Sequence, residues 1–184
     1  VGSEMCIRDR GGTSLSKGFK AINRFSEDID ITFSEHLGEA RRKKLKYNYH
    51  FYNPETVNGA EVAAFLKEDP ERVFKTLVTV GKSNKNYVFM VPVCQELDLK
   101  KAAKAVAEKS IEMIKSKDLF SLTGYIHGGC SPIGMKKQFT TVAHITAEKF
   151  SSIYFSGGKL GCQIEMPFET LKTIVPVRTY DIIK

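Results

Sequence analysis

From about residue 47 onward, apolar and polar positions fall into short blocks separated by turn residues, and the period switches between two and three to four. In RVFKTLVTV (72–80), alternation puts Val73, Lys75, Leu77 and Thr79 on one face of a strand and Phe74, Thr76, Val78 and Val80 on the other. Both faces are mostly apolar, so Lys75 sits among hydrophobes. NYVFMVPV (86–93) reads as a second strand, and the loop GKSNKN between the two predicts an antiparallel hairpin.

Before this hairpin, YNYHFY (47–52) reads as a strand, followed by a turn and a short helix over 60–67 with Thr56 or Asn58 as its cap and Pro70 beyond its end. LDLKKAAKAVAEK (97–109) places Leu99, Ala102, Ala103 and Val106 at helical spacing and turns Lys100, Lys101 and Lys104 away from them. SIEMI, FTTVAHI and SSIYFS read as strands, TAEKF as one helical turn, and KLGCQIEM as the partner of SSIYFS across Gly157 and Gly158. A last helix follows Pro167, with Phe168, Leu171 and Ile174 on one side. Strands interleaved with short helices and at least two hairpins predict an α/β (α+β) domain on a mixed sheet rather than a doubly wound one.

Composition narrows the class. A chain of 184 residues, 42% hydrophobic and 27% charged, supports one ordinary core. No apolar run approaches the roughly 18 residues of a membrane span, and VGSEMCIRDR lacks the apolar centre of a secretory signal, so a cytoplasmic location with no membrane partner is expected. Cys6, Cys94, Cys130 and Cys162 contain no CxxC pair, which argues against a zinc ribbon or a disulfide scaffold. A net charge of +7 makes contact with a polyanion plausible.

The candidate chemistry begins with Lys75. Either its stem carries the ammonium out to an edge, or the strand lines a pocket for an anionic or carbonyl-rich ligand. The glycines of GGCSP (128–132) and of SGGK (156–159) are open to two readings as well. They could be simple turns, or they could let backbone N–H groups approach a carbonyl where charge develops. His127 and Cys130 lie three apart, yet spacing across two glycines fixes neither a base within reach nor a depressed thiol pKa.

Four stretches, RVFKTLVTV, LDLKKAAKAV, TGYIHGGCSPIGMKK (123–137) and IYFSGGKLGCQIEM (153–166), occur in order and together resemble the YbaK/EbsC family of Cys-tRNA(Pro) deacylases, relatives of the editing domain inserted in bacterial prolyl-tRNA synthetases. The likeness covers roughly residues 47–177, leaving 178–184 as a tail. It implies a mixed, largely antiparallel sheet curled around a pocket and flanked by short helices. It also implies an aminoacyl-tRNA editing hydrolase that acts on mischarged Cys-tRNA(Pro), on Cys-tRNA(Cys) or on other small aminoacyl-tRNAs. Its partners would be the aminoacylated 3′ end of tRNA and prolyl-tRNA synthetase rather than DNA. Lys75, Gly128 and Gly129 would be catalytic; Tyr52, Thr76, Ser131, Ser156, Gly157, Gly158 and Gln163 would bind substrate. The family's chemistry uses the cysteinyl substrate's own thiol to attack its ester, so neither a protein nucleophile nor a metal or cofactor is needed. Gln163 stands where many relatives carry an aspartate, which removes a carboxylate, and His144 reads as structural where relatives carry an acidic residue nearby.

GGTSLSKGFKAINRFSEDIDI (11–31) resembles a different family, the nucleotidyltransferase core of AbiEii-type toxins, in which a GG(T/S) turn cradles triphosphate. Asp28 and Asp30, alternate residues of a strand, would share Mg²⁺ if that fragment were functional. Residues 1–10 are expected to be a spurious leader and 11–46 a fragment short of an independent domain, ending in the basic run EARRKKLK. Two further functions stay in view: a non-catalytic module that binds tRNA or a synthetase, and nucleotidyl transfer.

Overall fold

The computed structural model describes residues 45–52 and 59–184. Among them are eight strands: β1 (Asn48–Phe51), β2 (Val73–Gly81), β3 (Asn86–Pro92), β4 (Ile111–Met113), β5 (Thr140–His144), β6 (Ile153–Ser156), β7 (Cys162–Met166) and β8 (Val177–Tyr180). The α-helices are α1 (Gly59–Leu66), α2 (Leu99–Ala105), α3 (Ser116–Thr123) and α4 (Phe168–Ile174). All strands join one mixed sheet in the order β1-β7-β6-β2-β3-β5-β8, with β4 added beside β2. The β2/β3, β2/β4, β6/β7 and β1/β7 pairs are antiparallel; β2/β6, β3/β5 and β5/β8 are parallel.

Strand alternation divides the core into two layers, one on each side of the sheet. On one face, Val73 and Tyr154 pack against Ala63 of α1, while Leu77, Phe89, Val91 and Val142 pack with Ala102 and Ala103 of α2. On the other, Phe74, Met90 and Phe155 meet Phe168 and Leu171 of α4, and Val78 and Val88 meet Leu119 of α3. Both faces of β2 are therefore covered, which explains its two apolar sides. It also leaves Lys75 between the α1 and α2 clusters and Thr76 between the α4 and α3 clusters.

Local chemistry sets the element ends. The Asp98 carboxylate accepts from Lys100 N and Lys101 N and caps α2. α3 stops at Gly124, which takes φ 84° and donates its N–H to Phe120 O. α2 is shorter than the expected 97–109. Ala107 turns into positive φ, and Leu99, placed on the buried stripe by spacing, is exposed, while Ala102 and Ala103 make the packing contact. α3 was not predicted from the sequence. The cap at Thr56 or Asn58, residues 1–44 with Asp28 and Asp30, and most of EARRKKLK lie outside the described residues.

The segment expected as a tail, 178–184, is part of the fold. β8 pairs in parallel with β5, Ile182 is fully buried, and its carbonyl accepts from Asp98 N at 2.8 Å. His144, buried beneath it, accepts from Ile182 N at 3.4 Å through Nδ1. Ile182→Val, which removes one buried methyl group, should cost about 1 kcal/mol. A melting temperature lower by about 2–4 °C would register this loss, and an unchanged one would mean that the last residues carry no packing energy.

Candidate active site

One edge of β2 pairs with β3 along its length, and the other is shared. β6 pairs with Val73 and Phe74, β4 pairs with Thr79, Val80 and Gly81, and the residues between have no strand neighbour on that edge among those described. Val73 O accepts from Val93 N and Gly81 N donates to Lys85 O, so odd-numbered residues of β2 bond to β3 and even-numbered ones face the shared edge. Thr76 thus turns its own N–H and C=O toward the open stretch. A cavity of about 430 Å³ lies there, lined by Val73 to Val78, Tyr52, the loop after α3, Ser156 and Gln163.

The part-buried Lys75 lines this cavity and donates from Nζ to Val93 O at 3.2 Å. Burial holds its pKa below the ordinary lysine value, with Glu96 opposing the shift. The side-chain oxygens of Thr76 (Oγ1) and Gln163 (Oε1) are buried without a hydrogen-bond partner among the described residues. Two such atoms in the wall of one cavity are places for a ligand or water to bind, since burying a polar atom unpaired is costly. Tyr52 is buried beside them, and its N–H donates to Gly161 O at 2.9 Å. Ser156 and Gln163 are paired across β6 and β7.

The two glycine corners touch. A Cβ on Gly129 would lie 3.3 Å from backbone atoms of Lys159 and Leu160, and one on Gly158 would lie 2.9 Å from the Tyr125 ring. Gly129 N donates to Ile126 O, Gly157 N to Cys162 O and Gly158 N to Ser156 Oγ. Only Gly128, which takes φ 81° and lines the cavity, keeps its N–H without a partner among the described residues. Of the four glycines that the resemblance implies for the site, Gly128 is thus the one whose N–H is free to meet a ligand. Gly129, Gly157 and Gly158 allow close packing of the loops, with their N–H groups already engaged. Ser131 is buried away from the cavity lining, and its Oγ accepts from Ile133 N. Tyr52, Lys75, Thr76, Gly128, Ser156 and Gln163 are the predicted residues brought together at the cavity.

Cys130 also lines the cavity, but burial pushes its thiol up to about 12, which disfavours the thiolate a nucleophile needs. The sequence reading missed the contributions of Val62 from α1 and of Met113, Ile114, Ser116 and Leu119 from β4, α3 and the link between them. Among the described residues no cluster of His, Cys, Asp and Glu could hold a metal ion, and no helix is long and apolar enough to cross a membrane.

The family model for the aminoacyl-tRNA editing domain matches residues 53–174. A second, for the nucleotidyl transferase AbiEii toxin of type IV toxin–antitoxin systems, matches residues 10–82. A protein of Enterococcus faecalis named as a candidate Cys-tRNA(Pro)/Cys-tRNA(Cys) deacylase, EbsC, is 47% identical over 133 residues, spanning 71% of this chain and 81% of that protein. A solved structure described as a candidate trans-editing enzyme for prolyl-tRNA synthetase superposes with a TM-score of 0.73 at 20% identity, covering 85% of this chain and 97% of the other. The hypothetical protein APE2540 gives 0.73 at 18% identity, covering 85% and 99%. At such identities the structural likeness speaks for the fold alone.

Proposed function

Because this chain belongs to the aminoacyl-tRNA editing domain family, we propose that it deacylates mischarged Cys-tRNA(Pro) in the cavity at the open edge of β2. One observation carries this reading. A part-buried ammonium, an unengaged glycine N–H and two unpartnered buried oxygens share the walls of one cavity. Lys75 would hold phosphate or the ester and ribose oxygens of the tRNA 3′ end. The Gly128 N–H is the group suited to a carbonyl oxygen that gains charge. Gln163 can orient the substrate amine through its amide, and Tyr52, Thr76 and Ser156 offer it further polar contacts. The substrate's thiol, held against its own ester, supplies the nucleophile, so positioning and charge stabilisation are the protein's tasks. Prolyl-tRNA synthetase would be the partner that presents the tRNA.

Two observations bear on the alternatives. Gln163 in place of a carboxylate favours a module that binds aminoacyl-tRNA without cleaving it. The AbiEii-like match reaches residue 82 and so includes β2, a strand that the editing sheet already holds between β6 and β3. Purified protein mixed with labelled Cys-tRNA(Pro) is expected to release cysteine in many turnovers. Binding without release would move the reading to the non-catalytic module.

A further inference from the structure

The deacylase reading leaves one task unassigned, and this inference rests on that reading. A thiol that attacks an ester must lose a proton, and the departing ribose oxygen must gain one. Among the described residues lining the cavity, Lys75, Tyr52, Cys130 and His127 can exchange protons, and none is a carboxylate. Lys75 already donates to Val93 O, Tyr52 and Cys130 are buried, and the imidazole of His127 is the side-chain type that most often takes and returns protons in catalysis. His127 is exposed, lines the cavity and directly precedes Gly128, whose N–H is the unengaged one.

We propose that His127 is the general acid–base group of the editing reaction. Its neutral imidazole takes the proton of the substrate thiol as sulfur bonds to the ester carbonyl carbon. The carbon–oxygen bond to ribose then breaks, and the imidazolium returns that proton to the leaving oxygen. The products are tRNA with a free terminal hydroxyl and a four-membered cyclic thioester, which water opens to cysteine. No electron changes hands, and no further reactant is required.

The test is single-turnover deacylation of Cys-tRNA(Pro) by wild type and His127→Ala across pH 5–9, with and without added imidazole. The variant should lose about 10²-fold in rate with little change in apparent substrate affinity, the low end of what acid–base assistance contributes. The variant's rate should keep rising with pH up to the range where a free thiol ionises, whereas wild type's levels off at lower pH, and free imidazole should restore a measurable part of it. A variant that matches wild type in rate and profile overturns the proposal. So does a slowed variant whose rate levels off at the same pH as wild type's and ignores imidazole, since that describes a structural role. If wild type itself releases no cysteine, the deacylase reading fails first, and the wild-type arm alone reveals it.

Discussion

Lys75→Ala is expected to lower kcat/KM for Cys-tRNA(Pro) by about 10²- to 10³-fold, the scale of losing one preorganised electrostatic partner, while the melting temperature stays level or rises. The two halves of this expectation share a cause. Burial lowers the folded-state pKa of Lys75, so the unfolded chain binds this proton more tightly than the folded one. Keeping the ammonium charged at neutral pH therefore costs stability, and this group's contribution improves as pH rises through the window between its folded and ordinary values. Activity runs the other way, because the charge is lost over the same window. Wild type should show an alkaline fall below the ordinary lysine range, and Lys75→Arg should remove that fall even if it works more slowly, since guanidinium stays protonated. Unchanged turnover in Lys75→Ala would take the site assignment with it.

Gly158→Ala should cost about 3 kcal/mol and lower the melting temperature by roughly 6–12 °C, through strain of a non-glycine residue in left-handed backbone plus overpacking. Gly158 takes φ 94°, and the added methyl would stand 2.9 Å from Cε1 of Tyr125. That ring has little room to yield. Tyr125 is buried, and its hydroxyl donates to Ile133 O at 2.5 Å. Three residues after Tyr125 comes Gly128, so a displaced ring should carry the Gly128 amide with it and lower kcat by about tenfold or more, as small misplacements do. Calorimetry and steady-state kinetics on the same preparation would read both effects. A variant as stable as wild type would mean that the two loops are not held in register by this contact.

Much of the fold follows from short-range pattern. The β2/β3 and β6/β7 hairpins are legible because turn residues interrupt runs of strong strand formers, and α4 because Pro167 starts it with Phe168 and Leu171 at helical spacing. α3 escaped because SKDLFSLT buries only Leu119 and Thr123, too few positions to establish a period. β8 escaped for another reason. Arg178 and Tyr180 are exposed, and its partner β5 is distant in sequence, so nothing local distinguishes VRTY from a polar end. In the candidate site, Lys75 stood out as a charge misplaced in an apolar strand, and Thr76 and Gln163 came with the family likeness. What sequence could not separate was Gly128 from Gly129, because the difference lies in whose N–H is already hydrogen-bonded. His127 was weighed only as a partner for Cys130, although its place directly before the first glycine was a usable signal.

The strand order has a consequence for how such a domain travels between proteins. Among the described strands, β1 and β8 form the two outer margins of the sheet, and the strand bearing Lys75 lies in its interior. Chain joined ahead of β1 or beyond β8 would meet the sheet at a margin, with two strands between it and β2. The open edge of β2 and the cavity beside it can therefore persist while the attachments at either margin vary.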